Sequence, residues 1–249
     1  ADEMSRSVGM VHSRLRVAPP MARLRHQSTL VTFGEALLTF KPRPGLKSAT
    51  IPLATPACEV VQAVGGAELN VSVAFSRASA KGNATSSWVS VLPAGALGDM
   101  VRSAAMHARV DTTNIITDSS PHSNLATLHV VNPDDAGPRP HYQRHHSAFC
   151  STVGGASFTW PSILAGGSWL HLTGITPQLG DGPRAAWDAA LIGARSQELG
   201  VSLDLNHRPA LGSLEELWAV VLPHLSSLTL LMLSEDTLRQ LAEREGVWK

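Results

Sequence analysis

Residues 168–206 read SWLHLTGITPQLGDGPRAAWDAALIGARSQELGVSLDLN. Two short apolar runs, "SWLHLTGI" and "VSLDLN", flank residues 182–200. Those nineteen residues read as one helix stopped by Gly200. Strand, helix, strand at this spacing predicts a βαβ unit on a parallel sheet. Apolar strands of this kind fit a sheet covered on both faces.

The same rhythm continues outward. Downstream, residues 213–225 predict a helix started by Ser213, 228–233 a strand, and 234–246 a helix capped by Ser234. Upstream, "LVTFGEALLTF" (30–40) reads as one strand carrying a Gly-Glu. "EVVQAVGGAELNVSVAFSRA" (59–78) reads as a short strand, a glycine turn and a small-residue helix. Residues 86–93 read as a strand and 95–108 as a turn and helix. Segments near 51–61, 125–131 and 141–145 do not fit this register. With the turn signal "NPDDAGPRP" (132–140), they predict a small antiparallel β flap beside the main layer.

Bulk properties bound the function. The 249 residues carry 20 Lys+Arg and 20 Asp+Glu, 43% apolar and 16% charged residues. That composition builds a sizeable globular core. The neutral balance gives no case for a nucleic-acid groove or a membrane-binding face. No apolar run approaches the roughly 18 residues of a membrane span. Cys58 and Cys150 are the only cysteines, so no disulfide framework is expected, and a reducing compartment fits. Residues 1–28 are Arg-rich with no acid from Met4 to Gly34. They read as an organelle transit segment, as a disordered tail, or as untranslated sequence upstream of a start at Met21. The domain proper is set at 29–249, with lid strands near 51–61 and 125–145. The location is then cytoplasmic, or plastid or mitochondrion if the leader is a transit peptide.

In an open parallel sheet, ligands sit beyond the carboxyl ends of the strands. Gly34-Glu35, Gly65-Gly66, the 172–174 turn and residues 204–208 fall there. Gly65 and Gly66 read either as close helix–sheet packing, with Asn70 a solvated polar residue one turn into the helix that follows, or as a backbone that approaches a ligand, with the Asn70 amide on a sugar hydroxyl. Asp204, Asn206 and Arg208 alternate, so a strand would put them on one face. An internal Asp204–Arg208 pair and an anion site for arginine's planar fork both account for that row. Tyr142 and Arg144 share a face of the flap. His141, His145, His146 and Cys150 match no common zinc spacing, so no metal ligands are assigned.

"FGEALLTF", "VGGAELNVSVAFSR", "WVSVLPAGALGD", "YQRHHSAF", "WLHLTGITP" and "SLDLNHRPAL" occur in that order. Together they resemble the PfkB (ribokinase-like) carbohydrate kinases, and most nearly the 2-keto-3-deoxygluconate kinases. The resemblance runs from about Leu30 to the end. It implies a Rossmann-like three-layer α/β/α fold with a small β-sheet lid. It also implies ATP-dependent phosphoryl transfer to a sugar or sugar acid, with ATP and Mg²⁺ as cofactors. Gly34, Gly65, Gly66 and Asn70 would bind the sugar, Tyr142 and Arg144 its acid end. Arg208 would lie on the substrate side, supported by Asp204 and Asn206. Ser234 and Glu235 would lie near the nucleotide and Mg²⁺. A homodimer through the lid is the implied assembly. The family's Gly-x-Gly-Asp loop, whose aspartate is the general base, does not occur in these residues. It is expected beyond Lys249, so the C-terminal part of the fold is read as missing. This chain is therefore expected to be incomplete for catalysis, with doubtful ATP binding and no catalytic residue of its own. Ser234 and Thr237 replace the asparagine and glutamate of the family's Asn-x-x-Glu. The alternative is a non-catalytic kinase-like binding or scaffold protein.

Overall fold

The structure is a computed structural model; it describes residues 29–42, 60–131 and 139–244. The leader 1–28, the flap segment 51–59 with Cys58, and most of the 132–140 turn lie outside the described residues.

Two sheets divide the molecule. The body sheet contains β1 (Thr29–Phe33), β4 (Thr85–Pro93), β5 (Val110–Asp111), β6 (Ile115–Asp118), β9 (Trp169–Thr173), β10 (Gly200–Asp204) and β11 (Leu230–Met232). Its order is β11-β10-β9-β1-β4-β5, with β6 also paired to β4. Every pair is parallel. The lid is a mixed sheet of order β3-β2-β7-β8, built from β2 (Leu37–Pro42), β3 (Val60–Gly65), β7 (Ala126–Val131) and β8 (Arg139–Gln143). Only its β2–β7 pair is parallel.

Alternation along the body strands builds two cores, one on each face. Val31 and Phe33 of β1, Val89 and Val91 of β4, Leu170 and Leu172 of β9, and Val201 and Leu203 of β10 point one way. They meet Trp187, Ala190 and Ala194 of α5 (Asp181–Ser196) and Leu217 and Val221 of α6 (Leu214–Val221). Trp88 and Leu92 of β4 point the other way. They meet Leu69 of α1 (Ala67–Ala78) and Val101 and Ala105 of α2 (Ala96–His107). The chain therefore has the three-layer α/β/α body and the small lid expected of a ribokinase-like fold. Burying side chains such as Leu203 on both faces contributes about 1.5–3 kcal/mol each.

Three expectations change in detail. "LVTFGEALLTF" is two strands, not one. The chain leaves the body at Phe33, crosses at Gly34-Glu35-Ala36, and enters the lid at Leu37. Alternation could not reveal this, because residues 30–38 are buried almost throughout. "VVQAVG" is a lid strand antiparallel to β2, not a strand of the parallel layer. Gly200 does not stop the helix. α5 ends at Ser196, and Glu198 adopts the left-handed turn at φ 57. Gly200 opens β10, where a Cβ would lie 2.3 Å from the Trp169 ring. By contrast, Ser213 forms the full capping box with Glu216 that starts α6.

Shorter helices α3 (Ala148–Thr152) and α4 (Trp160–Ile163) follow the lid, and α7 (Glu235–Arg244) follows β11. Leu241 is the buried residue of α7, and it packs into the α5–α6 core.

Candidate functional site

All four crossings between body and lid meet in one seam. The chain leaves at 34–36, returns at Gly66, leaves again at 124–125, and returns at 144–147. Asn124 and Ser147 form a bridge, and the Ala148 N–H donates to the Asn124 carbonyl at 2.7 Å. The Gly34 carbonyl accepts from Trp88 Nε1 at 3.2 Å and Ser90 Oγ at 2.8 Å. Gly66 has φ 144, and a Cβ there would come within 2.7 Å of the Glu35 carbonyl. Only glycine meets both demands without strain.

Two buried carboxylates sit in this seam. Glu35 accepts from Arg144 Nη1 at 2.7 Å and from Ser147 Oγ at 2.5 Å, with Cys150 Sγ at 3.6 Å. Its side chain is 2% exposed and that of Arg144 12%. Burial pushes the Glu35 carboxyl above its usual range, and the Arg144 charge offsets this only in part. Glu68, in the first turn of α1, accepts from Thr173 Oγ1 at 2.6 Å and Thr176 Oγ1 at 3.1 Å. Burial raises its carboxyl as well. A Cβ on Gly34 would fall 2.2 Å from that carboxylate, so glycine is what lets β1 pass it. Cys150 is a free thiol pushed up to about 11, by burial first and then by Glu35 beside it. That protonation makes it a poor nucleophile.

Beside the seam, lid and body enclose a cleft of about 620 Å³. Tyr142, Arg144, His145 and His146 line it from the lid side, Gln178 and Arg208 from the body. The Arg144 guanidinium lies 4.9 Å from the centre of the Tyr142 ring, a cation–π contact. Arg208 is exposed, and among the described residues no carboxylate pairs with it. None of the described residues lining the cleft is an aspartate or glutamate. The cleft therefore presents two guanidiniums, one already carrying a counter-charge and one open. Such a pair suits a ligand with a carboxylate or phosphate.

The sequence-predicted residues divide by position. Tyr142, Arg144 and Arg208 come together in the cleft. Gly34, Gly65 and Gly66 lie in the seam behind it, while Asn70 is exposed on α1. The Asp204–Asn206–Arg208 row is not one strand face. β10 ends at Asp204, and Asn206 turns left-handed at φ 42. Asp204 Oδ1 accepts the Asn206 N–H at 3.0 Å, so this carboxylate shapes the turn that delivers Arg208. The internal Asp204–Arg208 pair does not form. Ser234 and Glu235 stand just past β11 at the start of α7. Ser234 Oγ takes the Thr237 N–H at 3.2 Å and bonds Thr237 Oγ1 at 2.8 Å, and Glu235 pairs with Arg239 at 2.6 Å. Among the described residues, no group of three or more His, Cys, Asp or Glu is placed to hold a metal ion. No helix of the described residues is long and apolar enough to cross a membrane.

Sequence reasoning left Glu35, Glu68 and Ser147 without a role. The one signal for Glu35 was a lone charged residue in the mostly apolar stretch 30–38.

No protein-family model matches the chain. Solved structures do. A 2-dehydro-3-deoxygluconokinase from Thermotoga maritima is 29% identical, with a TM-score of 0.72 over 86% of this chain. A fructokinase from Xylella fastidiosa is 23% identical (TM-score 0.72, 88% of this chain), and it has also been solved with ATP bound. A PfkB protein from Polaromonas sp. JS666 is 23% identical (TM-score 0.68, 82% of this chain). The chain spans 61% of the length of the Thermotoga protein, 63% of the Xylella protein and 65% of the Polaromonas protein.

Proposed function

We propose that this chain, a structural match to the PfkB carbohydrate kinases, is the sugar-binding portion of an ATP-dependent sugar-acid kinase. 2-Keto-3-deoxygluconate is the type of substrate we infer. The carrying observation is the meeting of Arg144 from the lid and Arg208 from the body in one cleft without a lining acid. The identity to the Thermotoga enzyme supports the same substrate class. In this reading the sugar-acid carboxylate lies between the two guanidiniums, and Tyr142 packs against the ring or chain carbons. Phosphoryl transfer is mostly positioning and charge stabilisation, and these residues supply the positioning. ATP would approach from the carboxyl ends of β10 and β11, near Ser234 and Glu235. Glu235 pairs with Arg239 on the exposed face of α7.

Calorimetric titration of 2-keto-3-deoxygluconate into the 249-residue chain tests this. Saturable binding is expected, weakened about tenfold to a hundredfold by Arg208→Ala, the range for one charged hydrogen bond. Absence of binding, or an unchanged affinity in R208A, overturns it.

A second reading, a kinase-like binding protein without turnover, is favoured by two observations. None of the described residues lining the cleft is an acid that could act as a base, and the Ser234 and Thr237 hydroxyls bond each other at the start of α7. Transfer of labelled phosphate from ATP to the sugar acid by this chain alone would exclude it.

A further inference from the structure

Among the described residues, the Arg144 guanidinium is hydrogen-bonded at one end only. Nη1 donates to Glu35 at 2.7 Å, and the flat face rests on Tyr142. Glu35 itself is fixed twice more. Ser147 donates to its other oxygen, and its backbone is wedged between the pinned Gly34 carbonyl and Gly66. Arg144 follows the last lid strand directly, whereas Glu35 stands on the first body-to-lid crossing. The ion pair thus ties a lid residue to a point fixed by the body. An arginine side chain loses about 2 kcal/mol of rotamer freedom when it is held. Glu35 has already imposed that loss before any ligand arrives, and the remaining N–H groups of the fork stay available to the cleft.

Resting on the sugar-acid reading above, we propose that Glu35 is the positioning residue for Arg144. It presents the free side of the guanidinium to the substrate carboxylate, and so sets the preference for acid over neutral sugars. Glu35 does not touch the sugar. The charges agree with this role. Glu35 pairs with Arg144, whereas Arg208, which lines the same cleft, has no carboxylate partner among the described residues, so a ligand carboxylate finds an open guanidinium there. Removing Glu35 would leave Arg144 as cationic as before but free to leave the cleft.

Glu35→Gln keeps the shape and an acceptor for Ser147 while removing the charge. The experiment titrates wild type, E35Q, R144K and the E35Q/R144K double variant with 2-keto-3-deoxygluconate. In parallel, the guanidinium nitrogens are followed by ¹⁵N NMR in the ligand-free chain, with the Arg144 signals assigned by their loss in R144K. The expected result is about tenfold weaker binding in E35Q, a similar loss in R144K, and little further loss in the double variant. The Arg144 Nη signals should be resolved by hindered rotation in wild type and averaged in E35Q. An unchanged melting curve for E35Q separates positioning from unfolding. If E35Q binds as tightly as wild type or tighter, or if Arg144 stays equally ordered, the positioning role is overturned while the sugar-acid reading stands. If wild type fails to bind the sugar acid, both are overturned together.

Discussion

The body sheet and the lid sheet are built on opposite rules. β4 of the body is buried over eight consecutive residues, from Ser86 to Pro93. β8 of the lid is exposed at all five positions. The body is parallel and covered on both faces, so its stability comes from burial. The lid is mixed and one-sided: Leu37 and Leu38 of β2 and Ala126 of β7 are buried, whereas β8 and most of β3 are exposed. Their two arginines reverse the pattern. The lid contributes the ion-paired, mostly buried Arg144, and the body contributes Arg208, exposed and without a carboxylate partner among the described residues. Stability and ligand chemistry are therefore assigned to different parts, and they overlap at the seam around Glu35.

Substitutions in the two regions should separate by size. Trp88→Ala, fully buried in the body and bonded to the Gly34 carbonyl, should cost about 3–5 kcal/mol by chemical denaturation. A cost below that of a surface substitution would break the comparison. Gly66→Ala, at the seam, should come next with about 2–4 kcal/mol. Its φ of 144 and the Glu35 carbonyl both oppose a Cβ. Val61→Ala on lid strand β3 is 46% exposed and should change stability by less than about 0.5 kcal/mol. Arg208→Ala should sit with it in stability while weakening sugar-acid binding, which sharpens the division between the two arginines.

The seam also predicts a pH dependence. The Glu68 carboxyl is raised in the folded chain, so the folded state binds more protons than the unfolded state above the ordinary value of 4.5. Its contribution to stability therefore falls as pH rises from about 4.5 towards the folded value. Glu68→Gln keeps the acceptor for Thr173 and Thr176 and removes the titrating charge. Melting temperatures across that window should show a flatter pH profile in E68Q. A profile identical to wild type would mean that burial does not raise this group.

The body was largely legible in the sequence because its signals are local. The apolar run of β10, the periodic buried face of α5 and the Ser213 capping box each act within a few residues. The lid boundary was not legible. β1 and β2 belong to different sheets, but the apolar run reads through both, since Ala36 and Leu38 are as buried as Val31. Arg144 and Arg208 were legible as candidate anion contacts. The placement of Arg208 by a left-handed Asn206 was not, because the alternating pattern suggested a longer strand. The Glu35–Arg144 pair spans 109 positions, and no local pattern reports such a distance.

The lid sheet also carries a rule about assembly in time. Its parallel β2–β7 pair joins residues 37–40 to residues 126–129, and β4, β5 and β6 of the body lie between them in the chain. A two-stranded hairpin of β2 and β3 alone is marginal in water. During synthesis the first half of the lid must therefore wait, unpaired on one side, until β7 has emerged. The body strands made in that interval bring the two halves together. The cleft between lid and body would then be among the last parts of the described chain to form, and slowing translation before residue 126 would prolong the exposure of an open β2 edge.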